Sequence, residues 1–211
     1  MTYAELVTLI QDYCESSETS FVANIPTFVK QAENRIYRTA MLPELRANAT
    51  TTVLAGAKYV ARPDDFIAVF SFAVIDATGK YTYMIDKDVN FIREAYPAPT
   101  TTGRPKYYGM FDGDKTASDG NFLIGPSPDV QYQVELHYYY DPVSIVTEST
   151  TWLGDNAPTT LLYGTLIEAY TYLKGDDDMM KTYMERYKTA MGQLMGIDAR
   201  NKRDDYRDGR A

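Results

Sequence analysis

The sequence predicts an α+β protein: a four-helix bundle made from the N- and C-terminal helix pairs, with an inserted antiparallel β-sandwich or barrel. Apolar residues recur at helical spacing near both ends of the chain, whereas short β-prone segments separated by turns fill the middle. The predicted parts are an N-terminal helical hairpin at 1–46, an inserted β-domain at 47–146, a C-terminal helical pair at 147–198 and a flexible tail at 199–211.

The N-terminal hairpin begins with a capping signal. Thr2 followed by Glu5 fits a capping box, and Tyr3, Leu6, Ile10 and Tyr13 then form one apolar face over about residues 3–16. A second helix is predicted from near Asn24 to Pro43, because proline cannot continue a helix. A short loop between two amphipathic helices favours an antiparallel hairpin.

The middle section carries about seven strand signals. Turn candidates at Ala55-Gly56 and 76–79 punctuate them. The predicted strands are 50–54, 58–61, 66–75, 81–85, 106–111, 121–124 and 130–140, with a short helix at 88–96. Regularly spaced short strands of this kind are typical of a sandwich or an open barrel.

A tyrosine block ends this section. Tyr138, Tyr139 and Tyr140 alternate across a strand, so both of its faces carry aromatic rings. Each face needs cover, either from the fold itself or from another copy. We therefore expect Tyr138, Tyr139, Tyr140 and the loop residue Trp152 to contact the bundle or a neighbouring subunit.

Helices return at Pro158, which suits a first helical turn. Gly175 is predicted to end this helix and Asp176 to cap the next one, which is predicted to close at Gly196. The residues after it show no apolar stripe and have nearly balanced charge, and we expect them to be mobile.

The net charge, the cysteine count and the lengths of the apolar runs disfavour several classes of function. The chain has 211 residues, a net charge of −8 and no basic stripe, which disfavours gripping of nucleic acid. One cysteine, Cys14, excludes an internal disulfide and suits a reducing compartment. No secretory signal and no apolar run of spanning length is found, so a soluble, cytoplasmic product is expected.

No residues compose a convincing active site. His137 is the only histidine and lies mid-strand, so a structural role is favoured and a zinc site is excluded. The acidic residues at 112–119 lack the terminal bidentate Glu of a calcium loop, and Asp64-Asp65 and 176–178 fit caps or solvated charges. We predict no catalytic, cofactor or metal site and no enzymatic activity.

Several segments, taken together, resemble a known family. The run Ile25–Arg38 and the later Gly125-Pro-Ser-Pro128, Val134–Pro142, Trp152-Leu153 and Leu161–Ala169 are similar in order and spacing to head-to-tail adaptors of short-tailed bacteriophages, the tail tubular protein A-like family. Arg62-Pro-Asp-Asp-Phe66 resembles the start of a strand in that family. The likeness covers the chain to about residue 195.

The resemblance implies a virion protein at the head–tail junction. It implies a dodecameric ring of this chain beneath the portal protein, with a tail nozzle protein below, and DNA passing through during ejection without specific binding. In such adaptors a C-terminal segment docks on the portal. The portal-contact residues implied here are Arg200, Lys202, Arg203, Tyr206, Arg207 and Arg210.

Two other functions stay open on the sequence alone. One is a carbohydrate- or ligand-binding β-sandwich with accessory helices, in which exposed tyrosines stack on sugar rings. The other is a hydrolase using Asp64 or Asp112 with a divalent metal.

Overall fold

A computed structural model describes residues 1–40, 42–98, 100–111 and 120–201, with backbone alone for residue 43 and for 197–201. The described chain is α+β, with seven α-helices and two sheets of four strands each. It divides into two compact units, one formed by residues 45–141 and the other by residues 1–44 with the chain from 142 onwards. We call them the β-unit and the helical unit.

Six helices form the described part of the helical unit. They are α1 (Tyr3–Cys14), α2 (Thr19–Thr39), α4 (Ile145–Glu148), α5 (Trp152–Asn156), α6 (Pro158–Leu173) and α7 (Asp177–Asn201). A short 3-10 helix, Pro43–Leu45, follows α2. No helix in the described residues is both long enough and apolar enough to cross a membrane.

The local signals at the starts of helices are confirmed. The Glu5 backbone N–H donates to Thr2 Oγ1 at 3.3 Å and the Thr2 N–H donates to Glu5 Oε2 at 2.8 Å, which is the predicted capping box. Pro158 is the first residue of α6, and the Asp176 carboxylate accepts the Asp178 N–H at 2.9 Å at the start of α7.

Two predicted helix ends are wrong. Helix α2 begins at Thr19, five residues before Asn24, because Phe21 is fully buried and extends the apolar stripe upstream of Pro26. Helix α7 continues past Gly196 to Asn201, since a glycine without a following stop signal only weakens a helix. The segment around Trp152, predicted as a loop, contains the short helices α4 and α5.

Helix α6 is the centre of the helical unit. It contacts α1, α2 and α7, and its buried residues lie all around its axis. Arg35 of α2 reaches across it, with its guanidinium 3.1 Å from the Gly164 carbonyl oxygen and 2.7 Å from Glu168 Oε1. The same guanidinium lies 5.3 Å from the centre of the Tyr187 ring on α7, so one side chain of α2 contacts both α6 and α7.

The β-unit, where the structure describes it, is built from two sheets and one helix. The first sheet has the order β1-β8-β3-β4 and the second the order β2-β7-β6-β5. The strands are β1 (Arg46–Val53), β2 (Tyr59–Ala61), β3 (Phe66–Ile75), β4 (Tyr81–Tyr83), β5 (Ile85–Asp86), β6 (Tyr107–Phe111), β7 (Asn121–Gly125) and β8 (Tyr132–Tyr140), and α3 is Val89–Ala95.

The prediction of a wholly antiparallel insertion is wrong at one ladder. Strands β5 and β6 pair in parallel, Ile85 with Tyr107 and Asp86 with Tyr108. The predicted strand 81–85 is divided, because the chain crosses from one sheet to the other at its end. The Met84 N–H donates to the Phe72 carbonyl in the first sheet, and the Ile85 N–H donates to the Lys106 carbonyl beside the second.

Along strand β8, side chains that face the core alternate with side chains that face outward. Its residues Tyr132, Val134, Leu136 and Tyr138 face the core between the sheets, where they meet Phe72 of β3 and Phe122 of β7. The intervening residues face outward. Strand β8 lies between β1 and β3 and is antiparallel to both, so it is held on both edges.

Candidate functional site

Tyr138 lies inside the β-unit. Its side chain is 6% exposed, and its hydroxyl donates to Asp65 Oδ1 at 2.9 Å. Its ring is stacked on Phe66, with 6.0 Å between the centroids. Burial, together with the bond to the Asp65 carboxylate, raises the pKa of Tyr138 to about 12. Tyr138 is thus a neutral, packed core residue at physiological pH.

Tyr139 faces the other way and is covered within the same unit. The Arg46 guanidinium donates to the Tyr139 hydroxyl at 3.1 Å and lies 3.8 Å from the centre of the Phe70 ring. Phe70 in turn meets Tyr139 edge to face. The register of β3 shifts between Val69 and Ser71, which accounts for the position of Phe70 over this face.

The other two residues of the predicted contact are half-buried. Tyr140 packs against the edge of the core cluster of the β-unit. Trp152 is the first residue of α5, whose start is capped by Thr151 through a 3.3 Å bond to the Gly154 N–H. A subunit or bundle contact through Tyr138, Tyr139, Tyr140 and Trp152 stays a prediction.

The predicted portal-contact residues fall at the end of the described chain. The backbone of Arg200 belongs to helix α7. Lys202, Arg203, Tyr206, Arg207 and Arg210 lie outside the described residues.

The flank of the β-unit formed by β1 and β2 is open, and the sequence did not predict this opening. A cavity of about 220 Å³ lies under β1, between the small residues Ala49 and Thr51 and the side chains of Val60, Phe72 and Phe122. It exists because β2 is only three residues long and covers a small part of the eight-residue β1. The alternation of small residues in 47–51 is the sequence signal that points to this gap.

The opposite flank displays aromatic and aliphatic side chains. Tyr81, Tyr83 and Ile85, at alternate positions of the extended segment, are 47%, 56% and 57% exposed. Tyr81 also reaches back over the sheet, where its hydroxyl lies 3.3 Å from Glu135 Oε2. Asp86 and Asp88 follow on the surface.

His137, Asp65 and Cys14 occupy structural positions, whereas Asp112 and the acidic residues up to 119 lie outside the described residues. His137 lies in the middle of β8, with its Nε2 3.4 Å from Glu135 Oε1. The Asp65 carboxylate accepts the hydrogen bond of the Tyr138 hydroxyl. Cys14 packs beside the aromatic cluster of α6 and α7, where burial raises the pKa of its thiol to about 11. Within the described ranges, no three His, Cys, Asp or Glu side chains come together to hold a metal ion.

Comparison with known proteins confirms the family resemblance. No curated protein matches the chain. The family described as SU10 adaptor protein matches residues 1–210, which is nearly the full length. The chain therefore belongs to the SU10 adaptor protein family, and this membership indicates a structural adaptor of a phage virion, associated with portal and tail components.

Proposed function

We propose that this protein is the ring-forming subunit that joins a phage portal to the tail and forms part of the conduit for DNA. The family match over residues 1–210 carries this proposal. The net charge of the chain supports it, because a protein with a net charge of −8 repels DNA, which favours passage of DNA over binding. The role is structural and involves no catalysis.

The proposal includes a four-helix bundle made of α1, α2, α6 and α7. Its support is the central position of α6, which contacts the other three helices. Apolar side chains from the N- and C-terminal helix pairs then share one core, so neither pair exposes its apolar stripe to water. The β-unit is an insertion between the two pairs.

Electron microscopy of purified protein tests the ring. We expect closed rings from the protein alone or after mixing with the portal protein of the same phage. The absence of rings in both samples would remove the assembly role. Counting the subunits by mass measurement then tests the dodecamer.

The C-terminal residues provide a separate test of portal docking. Helix α7 is described as far as Asn201, so removal of residues 202–211 leaves every described helical residue in place. We expect this truncation to weaken portal attachment without changing the thermal unfolding of the protein. Portal attachment equal to that of the full chain would exclude the tail from the contact.

Charge variants of the tail sharpen that test. Replacing Lys202, Arg203, Arg207 and Arg210 with Gln removes the cations that pair with portal carboxylates. Replacing Asp204, Asp205 and Asp208 with Asn is the matched control and should leave attachment equal or stronger. Equal losses from both variants would contradict a charge-based contact.

The carbohydrate-binding alternative is a function of another class. It requires exposed tyrosines, and Tyr59, Tyr81 and Tyr83 are on the surface, whereas Tyr138 and Tyr139 are buried at 6% and 8% exposure. A glycan array discriminates the two functions, since an adaptor shows no saturable binding of sugars.

A further inference from the structure

The open flank of the β-unit presents a long strand edge. Strand β1 has eight residues and pairs with β8, and no other strand of the described chain lies along its second edge. The stretch Asn48–Thr52 along this edge contains neither a charge nor a proline. Natural proteins protect exposed edges with such residues or keep the edge strand short. Beyond Arg46 at its start, strand β1 has neither protection, which is typical of an edge that pairs with another chain.

The charges of this flank select an acidic partner. Residues 46–62, which contain both β1 and β2, carry Arg46, Lys58 and Arg62 and no acidic residue. The whole chain has 29 acidic and 21 basic residues, so the remainder has 29 acidic against 18 basic after these three are subtracted. A basic flank on an acidic protein attracts other copies of the same protein.

The opposite flank of the same unit offers a matching surface. The first sheet ends there in β4 and the second in β5, so each sheet has one edge on either flank. Tyr83 and Tyr81 lie on the outer face of the first sheet, paired with Ala73 and Ile75 of β3. Asp86 and Asp88 follow them on the surface, with the exposed Lys87 between the two carboxylates.

Strand direction also fits. In the first sheet β1 and β3 run one way, and β8 and β4 run the other way. When a second copy is placed beside the first in the same orientation, β4 of one copy runs antiparallel to β1 of the next. Tyr81 and Tyr83 then lie next to the exposed Thr50 and Thr52, and aromatic rings pair well with β-branched residues across strands.

We propose that a second copy of this chain binds the β1–β2 flank with its own β4–β5 flank, continuing both sheets from subunit to subunit. Asp86 and Asp88 of one copy then lie near Lys58 and Arg62 of the next. The neighbouring strand covers the mouth of the 220 Å³ cavity under β1. Two different surfaces meet in this contact, and such a head-to-tail contact closes into a ring when the rotation between copies permits. The inference rests on the proposed ring and assigns its subunit contact.

Cysteine cross-linking tests the pairing. In a Cys14→Ala background, Thr50→Cys and Tyr83→Cys proteins are prepared separately and treated with a short flexible dimaleimide. We expect cross-linked dimers from the mixture and none from either protein alone. Dimers from Thr50→Cys alone would show that β1 pairs with β1 of another copy, and the absence of dimers in the mixture would show that the flanks do not meet. Either result overturns the proposal.

A lysine on the edge provides the second test. Thr51 faces the cavity yet is exposed, so Thr51→Lys places an inward-pointing charge at the edge without filling the core. We expect this variant to melt like the wild type but to lose ring formation. Thr8→Lys, an exposed position on α1, is the matched control and should keep it.

The two proposals fail in different ways. Rings formed equally by wild type and Thr51→Lys would overturn the flank assignment and leave the ring in place. Wild-type protein that never forms rings, alone or with portal, would overturn the proposed function and this contact with it.

Discussion

Arg35 shows how single side chains hold the helical unit together. Its guanidinium donates to the Gly164 carbonyl at 3.1 Å, pairs with Glu168 at 2.7 Å and lies over the Tyr187 ring. A charged donor on a backbone carbonyl stabilises a protein more than a solvent-exposed ion pair does.

Tyr138 and Tyr139 were predictable from the sequence as residues on opposite faces of β8, because alternation is a property of any strand. Their cover by Asp65 and Arg46 was not, because those residues are distant in sequence.

We expect Arg35→Met to lower the free energy of unfolding by about 1–2 kcal/mol, because it removes this bond while keeping an apolar stem. Urea denaturation measures the change. Lys181→Met is the control, since the Lys181–Asp178 pair is 2.9 Å long but exposed, and its loss should cost close to nothing. Equal losses from both variants would mean that the Gly164 contact contributes little.

At the scale of elements, helix α6 depends on a glycine for its close approach to two neighbours. A Cβ on Gly164 would lie 3.2 Å from Tyr187 Cε2 on α7 and 3.4 Å from the Ala32 side chain on α2. The start of α6 at Pro158 and its end near Gly175 were predicted from local signals. The need for a small residue at 164 was not, because nothing local distinguishes a buried glycine from an exposed one.

Gly164→Leu is expected to destabilise the protein by about 1–3 kcal/mol, because the added side chain overpacks the contact with α2 and α7. Gly192→Leu is the matched variant on α7, where no atom lies within 4 Å of the added Cβ. It should raise stability by about 0.5 kcal/mol through better helix propensity. Thermal unfolding followed by circular dichroism compares the two, and a stabilising Gly164→Leu would refute the close packing.

At the scale of the whole molecule, buried tyrosines make the fold sensitive to alkali. Burial raises the pKa of Tyr108 and Tyr138 in the β-unit, and of Tyr183 in the helical unit, to about 12 each. The ordinary value in an unfolded chain is about 10. The folded state therefore binds these protons more tightly, and this contribution to stability is complete below pH 10 and is lost as the pH rises towards 12.

We expect the melting temperature to fall steeply between about pH 10 and pH 12, together with cooperative tyrosinate absorbance. Trp152 fluorescence reports the helical unit, because it is the chain's one tryptophan and lies in α5. Tyr183→Phe should shift the alkaline change in that fluorescence to higher pH, whereas Tyr172→Phe, at a 44% exposed position, should not. Identical pH profiles for both variants would contradict the role of Tyr183.

Local patterns in the sequence were enough to predict the long helices, most of the strands, their order and the family, but not the short helices α4 and α5. Capping at Thr2, the proline at the start of α6 and the period of β3 at Phe66–Ile75 are local chemistry, so they are visible in neighbouring residues. Which strands are neighbours became visible only in the folded chain, since β1 pairs with β8, from Arg46 with Tyr139 to Val53 with Tyr132, and the 81–86 segment divides between two sheets. Such pairings depend on long-range packing and register, which no local pattern specifies. The open β1 edge follows from them, and so it appears only in the folded chain.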